Sequence, residues 1–208
     1  MRLTLNLLPL LSASPSGRVI SVFAPGKGEW SLNLSDLGLY QPANYGILSG
    51  VSHASYMTTF FFESLSQRHR GLSFLHVYPG EVKTPEFARA EFPAAVRLLF
   101  YWVVLPLLAL TGQLLWLDEV GARMVWHGVS ARFPARDVQG TERMVGLPDG
   151  LEIMEGSDNV KGSGSYCVTC MGEKVNNTAR LARYREQGGP TIIWEHTMKV
   201  FDEIGQSS

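Results

Sequence analysis

Residues 17–84 constrain the fold more than any other stretch. The run GRVISVFA, from Gly17 to Ala24, follows the turn Ser14-Pro15-Ser16-Gly17 and reads as a β-branched and aromatic strand. A long helical pattern comes next. Then comes Leu72-Ser-Phe-Leu-His-Val-Tyr78, a second apolar strand stopped by Pro79-Gly80. Two strands of buried type joined by a helix form a βαβ unit, with the strands parallel and the crossover right-handed. Ligands of open parallel sheets sit beyond the carboxyl ends of the strands. Here those ends are residues 23–26 and 78–84.

At 208 residues the chain is one domain by length, long enough for a sizeable core. A net charge of -1 leaves no electrostatic footprint for nucleic acid. Charged residues make up only 18% and hydrophobic ones 45%, so a soluble fold has much apolar surface to bury. Cys167 and Cys170 are the only cysteines, too few for a disulfide scaffold or a four-ligand zinc site. They read as two ordinary strand residues on one side of a sheet, and no metal is expected. The N-terminal apolar run lacks a clean small-residue cleavage site, so it is not read as a signal peptide, and the location is expected to be cytoplasmic.

Around the βαβ unit the pattern continues in order. Residues 1–12 read as a helix with a stripe of leucines at 3, 7, 10 and 11, and with Pro9 near its end. Residues 25–44 read as a loop in which Leu32, Leu34, Leu37 and Leu39 lie over apolar surface. The central helix is expected over 44–70, its face made of Ile47, Val51, Ala54, Thr58, Phe61 and Leu65, with Gly46 and Gly50 allowing close packing on the sheet. Residues 98–117 carry no charge. Interrupted by Pro106, Gly112 and Gln113, they admit three readings: a helical pair lining an apolar pocket, a hairpin dipping into a membrane surface, or a transmembrane helix. A helix follows over 118–132, capped by Asp118 and packed through Val120, Met124 and Val125. Residues 133–161 read as a polar surface loop and 162–175 as the third strand. A short helix over 176–186 presents Arg180, Arg183 and Arg185 to solvent. Pro190 opens a last helix with the stripe Ile193, Thr197 and Val200.

These residues resemble a known family. GRVISVFAPGKG, then Tyr45 at a helix start, then LSFLHVYPGEVKTPEF, look like the second half of a short-chain dehydrogenase/reductase, of a divergent fungal type that tailors natural products. The opening NLLPLL and the closing GSGSYCVTCMGEKVNN fit the same group. The resemblance implies an α/β fold: the C-terminal part of a Rossmann-like parallel sheet of about three strands, flanked by helices. In it, 1–208 form a single partial domain, and 85–117 form an apolar insertion that binds substrate or associates with a membrane. It implies an N-terminally truncated start, since no G-x-x-x-G-x-G turn for a cofactor pyrophosphate follows an early strand. It also implies NADP or NAD as cofactor, a hydrophobic small-molecule substrate, and a homodimer formed through the central helix.

The resemblance carries residue roles as well. Tyr45 falls at the catalytic tyrosine, the proton donor to a carbonyl oxygen. Pro79, Gly80, Val82 and Thr84 match the P-G-x-V-x-T pattern, which meets the nicotinamide. Two catalytic partners are missing: four residues after Tyr45 stands Ser49 rather than Lys, and Ala24 occupies the serine position. A tyrosine hydroxyl with pKa near 10 relays protons poorly at neutral pH without a cation beside it. His53, two turns further along the helix, is a weak stand-in, and His76 reads as a core residue. The resemblance therefore implies an oxidoreductase acting on a carbonyl or hydroxyl of a hydrophobic secondary metabolite. The alternative is a non-catalytic relative serving as a binding or partner subunit.

Overall fold

The computed structural model describes residues 1–82, 93–111, 114–137 and 144–206. Three strands form a parallel sheet: β1 (Arg18–Val22), β2 (Ser73–Tyr78) and β5 (Ser165–Thr169), in the order β1-β2-β5. Arg18 pairs with Ser73 and Val22 with Val77. On the other side Phe74 pairs with Ser165 and Tyr78 with Thr169. The fold is α/β, a partial Rossmann-like sheet between helices. β2 is central and accordingly buried from Ser73 to Val77.

The side-chain alternation of β2 divides the core. Phe74 and His76 face α2 (Ile47–Arg68): Phe62 lies 5.5 Å from Phe74 between ring centroids, and Thr59 Oγ1 lies 2.9 Å from His76 Nδ1. Leu75 and Val77 face the opposite layer with Tyr166 and Val168 of β5, Phe133 and Met154. Met124 and Trp126 of α5 (Leu117–Val129) complete that layer. Two further helices, α6 (Thr178–Glu186) and α7 (Gly189–Gln206), cover α2, with Trp194 stacked on Phe61 at 5.2 Å. α1 (Arg2–Ala13) packs on the same cluster.

Several sequence expectations are corrected here. α1 packs Leu5, Leu8 and Leu11, with Met1 at its cap, half-buried against the core and leaves Leu3, Leu7 and Leu10 exposed. A helix with leucines on two faces does not say which one faces inward. α2 begins at Ile47, after Tyr45, and its first turns bury Ser52, Ser55 and Tyr56 while Ile47 stays 85% exposed. The apolar stripe holds only from Phe61 onward. Neither Gly46, the cap of α2, nor Gly50 is a packing contact: a Cβ on Gly50 would meet nothing within 4 Å, and one on Gly46 only Ser49 Oγ at 3.5 Å. Residues 133–161 are no plain surface loop, since Phe133, Ala135, Met154 and Ser157 are buried. Cys167 and Cys170 do not share a face: three positions apart they fall on opposite sides of a strand, and Cys170 lies beyond the end of β5. α5 starts with Trp116 at its cap position, and Asp118 sits in its first turn, where a carboxylate favours the helix N-terminus.

Within the apolar insertion, residues 94–110 form one unbroken helical run. α3 (Ala94–Leu99) passes into a π-helical turn (Phe100–Val104) and on into α4 (Leu105–Leu110). Pro106 has no N–H to give, and a locally widened turn beside it accommodates the missing bond. Of the three expected interruptions, Pro106 does not break the helix, and Gly112 and Gln113 lie outside the described residues. Nor does the run form a covered pocket lining, because none of its residues is buried. Among the described residues no helix is long and apolar enough to cross a membrane.

Candidate functional site

The site is built where β2 ends. Pro79 stops the strand, and Gly80, at φ +82°, turns the chain in a conformation that favours glycine. Glu81–Val82, strand β3, then pairs in parallel with Leu114–Leu115, strand β4. This short ladder, not legible in the sequence, ties the loop after β2 to the end of the apolar arm. A cleft of about 600 Å³ opens beside it at the carboxyl end of the sheet. Its lining comes from five places: Tyr78, Gly80 and Glu81; Leu114, Leu115 and Trp116; Glu119 and Arg123 of α5; Lys27 after β1; and Cys170 with Met171 after β5. A Cβ at Gly80 would stand 2.7 Å from Leu115 Cδ1 and 3.4 Å from Cys170 Sγ, so the cleft needs bare backbone here.

The polar groups of the cleft are ordered. The Tyr78 hydroxyl donates to the Glu81 carboxylate. Burial first, and this bond second, hold the phenol well above its usual range. Arg123 pairs with Glu119 at 2.5 Å and donates to Cys170 Sγ at 3.7 Å. Lys27 is exposed at the rim. Among the described residues no cluster of His, Cys, Asp or Glu is arranged to hold a metal ion.

Of the residues singled out in the sequence, Gly80 lines the cleft, and Pro79 and Val82 flank it in the chain. Thr84 lies outside the described residues. Tyr45 sits one residue before the cap of α2, is 75% exposed, and does not line the cleft. His53, the weak stand-in, and its neighbour Ser52 have structural work instead. Ser52 Oγ accepts the N–H groups of Trp30 and Ser31 at 3.0 Å each and donates to the Ser31 carbonyl at 2.6 Å. His53 Nε2 accepts the Asn33 N–H at 3.1 Å, which leaves the proton on Nδ1 for the Leu37 carbonyl at 3.2 Å. Both side chains fasten the loop after β1 onto α2. His76 is fully buried and neutral, its pKa pulled down to about 3 by burial.

Glu29 was not visible as a functional residue, being one carboxylate in a Gly- and Pro-rich loop. It is fully buried. Its carboxylate accepts Ser55 Oγ at 3.3 Å and Asn177 Nδ2 at 2.9 Å, while Arg180 donates to its backbone carbonyl at 2.9 Å. It thereby joins the loop after β1 to α2 and to the start of α6. Burial dominates and raises its pKa above the ordinary 4.5. The protonated acid is thus the form the fold favours. Its contribution to stability is full below the unfolded-state value and is lost as pH rises through the folded one. Denaturation of wild type and Glu29→Gln across pH 4 to 8 should show the wild type losing stability relative to the variant as pH rises. A difference that is flat or grows with pH would contradict this.

No family model matches the chain, and no solved structure matches it. Curated fungal proteins do. Oxidoreductase AN1596 of Emericella nidulans is 38% identical over 98% of this chain and 59% of its own length. The NmrA-like family domain-containing oxidoreductase notO of an Aspergillus species is 31% identical over 97% of this chain and 54% of its own. The short-chain dehydrogenase/reductase SAT2 of Stachybotrys chartarum is 28% identical over 100% of this chain and 57% of its own. The chain spans little more than half the length of these relatives, and over almost all of that span it is similar to proteins named as fungal oxidoreductases.

Proposed function

We propose that this chain carries the nicotinamide side of an NAD(P)-dependent oxidoreductase of the short-chain dehydrogenase/reductase type. It would act on a carbonyl or hydroxyl group of a hydrophobic secondary metabolite. The observation that carries the reading is the bare-backbone cleft at Gly80. It lies at the carboxyl end of a parallel sheet, where dinucleotides bind in such folds, and Leu114, Leu115 and Trp116 give it an apolar side suited to a flat ring or a greasy substrate. The relatives named NmrA-like and short-chain dehydrogenase/reductase support a nucleotide cofactor in general. The residues present fit only the nicotinamide end of such a cofactor, since the sequence holds no glycine-rich turn for its pyrophosphate. When bound, the nicotinamide would supply or accept the hydride. Pro79, Gly80, Val82 and Thr84 would place it, and Tyr45 would pass the proton at the substrate oxygen.

A second reading is a non-catalytic relative. It is favoured by the exposed Tyr45 outside the cleft and by Ser49 and Ala24 at the two partner positions. Titration of the purified chain with NADPH and NADH, followed by fluorescence or calorimetry, separates the two. Micromolar binding is expected for one of them. Gly80→Val should weaken it at least tenfold, about 1.4 kcal/mol, because the new side chain enters the cleft from a strained backbone. Tyr45→Phe should leave binding intact and abolish turnover. A folded protein that binds neither nucleotide would establish the second reading.

A further inference from the structure

The helical arm of residues 93–111 has a surface that water does not suit. From Leu98 to Leu110 the sequence is LLFYWVVLPLLAL, and Arg97 is the single charged residue between Pro93 and Leu117. Leu98, Leu99, Trp102, Val103, Leu107 and Leu110 are 53–86% exposed. At about 100° per residue these side chains, with Tyr101, fan over roughly two thirds of the helix circumference. A protein partner docking on one face would leave the rest of that arc in water. A lipid environment covers all of it. Among the described residues the arm is also too short to cross: its 17 residues span about 25 Å, against roughly 30 Å of hydrocarbon.

The polar groups on the arm are those of an interface. Arg97, Tyr101 and Trp102 line one groove near its start. A guanidinium on a long stem, a phenol and an indole together suit the phosphate and ester level of a lipid layer. At the other end Trp116 and Leu117 are 61% and 55% exposed. Trp116 also lines the cleft, as do Leu114 and Leu115. The residues that follow the arm in the chain, Leu114 to Trp116, therefore stand at the mouth of the candidate site.

We infer that the arm inserts into one leaflet of a lipid bilayer and seats the cleft mouth at the membrane surface. Its use in drawing a lipophilic substrate rests on the reading of the cleft given above; the docking itself does not. The test is flotation of the purified chain with phosphatidylcholine vesicles, repeated with added phosphatidylserine. Wild type should float with both, and the pair Leu98→Asp and Leu107→Asp should lower partitioning at least tenfold. Both sites are exposed on a run with no buried residue, so the pair should leave the unfolding temperature unchanged. Lipids brominated near the headgroup should quench tryptophan emission, and Trp102→Phe should remove most of that quenching. Wild type that stays out of the vesicle fraction would overturn the inference. So would light scattering that shows a dimer dissociated by the aspartate pair, since the arm would then belong to a second copy. Nucleotide titration of the aspartate pair keeps the two readings apart, because unchanged nucleotide binding beside lost flotation isolates the arm.

Discussion

Replacing Arg185 by Ala should cost the fold about 3–5 kcal/mol, the range for stripping one partner from a buried ion pair. Glu63 sits on α2 with its side chain only 4% exposed, and Arg185 reaches it from α6. The guanidinium donates through Nη2 at 2.5 Å and Nε at 3.1 Å to the two carboxylate oxygens, and through Nη2 at 2.7 Å to the Ser157 carbonyl. Removing it leaves a carboxylate in the core with no cation and one carbonyl without its donor. Against a total stability of roughly 5–15 kcal/mol for a natural domain, that loss is large. Arg185→Lys should recover little, because an ammonium cannot make the forked contact. The double variant Glu63→Met with Arg185→Met should lie well above Arg185→Ala, since it removes the stranded charge as well. Urea denaturation of the variants decides the matter. A loss under about 1 kcal/mol for Arg185→Ala would mean that the pair is screened like a surface bridge.

That pair also shows where sequence reading stopped. Strand β1, the long helix, strand β2 and the turn at Pro79-Gly80 were legible because each announces itself within a few residues: β-branched runs, helical periodicity, a strand breaker. The α/β class followed from their order. Arg180 and Arg185 looked like part of a solvated face because their partners are distant in the chain. Arg185 meets Glu63, Arg180 bonds the carbonyls of Gly26 and Glu29, and Arg183 lies 5.7 Å from the Tyr184 ring. The same holds for the loop after β1. Nothing local marks Glu29, Ser52 or His53 as its fasteners, since each bond joins segments 16 residues apart or more. At the candidate site the Gly80 turn was legible, whereas the wall opposite it depends on the pairing of β3 with β4, two residues each, too short to carry a periodic signal. For the arm, apolar composition was plain, but composition does not say whether protein, lipid or water lies outside it.

The second large effect is expected at Arg18, and it bears on the cleft. Arg18 opens β1, and its side chain closes the far end of α5. Nη1 donates to the carbonyls of His127 at 2.6 Å and Ser130 at 3.1 Å, and Nη2 donates to that of Phe133 at 2.7 Å. These are the carbonyls that a helix end and the turn after it leave without partners, and a cation also suits the negative end of the helix dipole. Burial pulls the Arg18 pKa down to about 10, still far enough above neutrality to keep the charge. Met at this position keeps most of the stem and loses every donor. Bonds from a charged donor contribute about 1.5–3 kcal/mol each. Ser73 Oγ still reaches the Phe133 carbonyl at 2.8 Å, so that acceptor keeps a partner. The net expectation for Arg18→Met is a loss of about 3 kcal/mol, carried by the His127 and Ser130 carbonyls. The loss should be uneven across the molecule. α5 carries Glu119 and Arg123, which line the cleft, and a helix freed at its C-terminus should open more often along its length. Hydrogen exchange should therefore quicken over residues 120–130 of Arg18→Met while α2 keeps its protection, and the cleft should bind nucleotide more weakly than its remaining stability explains. Uniform loss of protection, with nucleotide binding unchanged, would confine Arg18 to holding the sheet and separate it from the shape of the site.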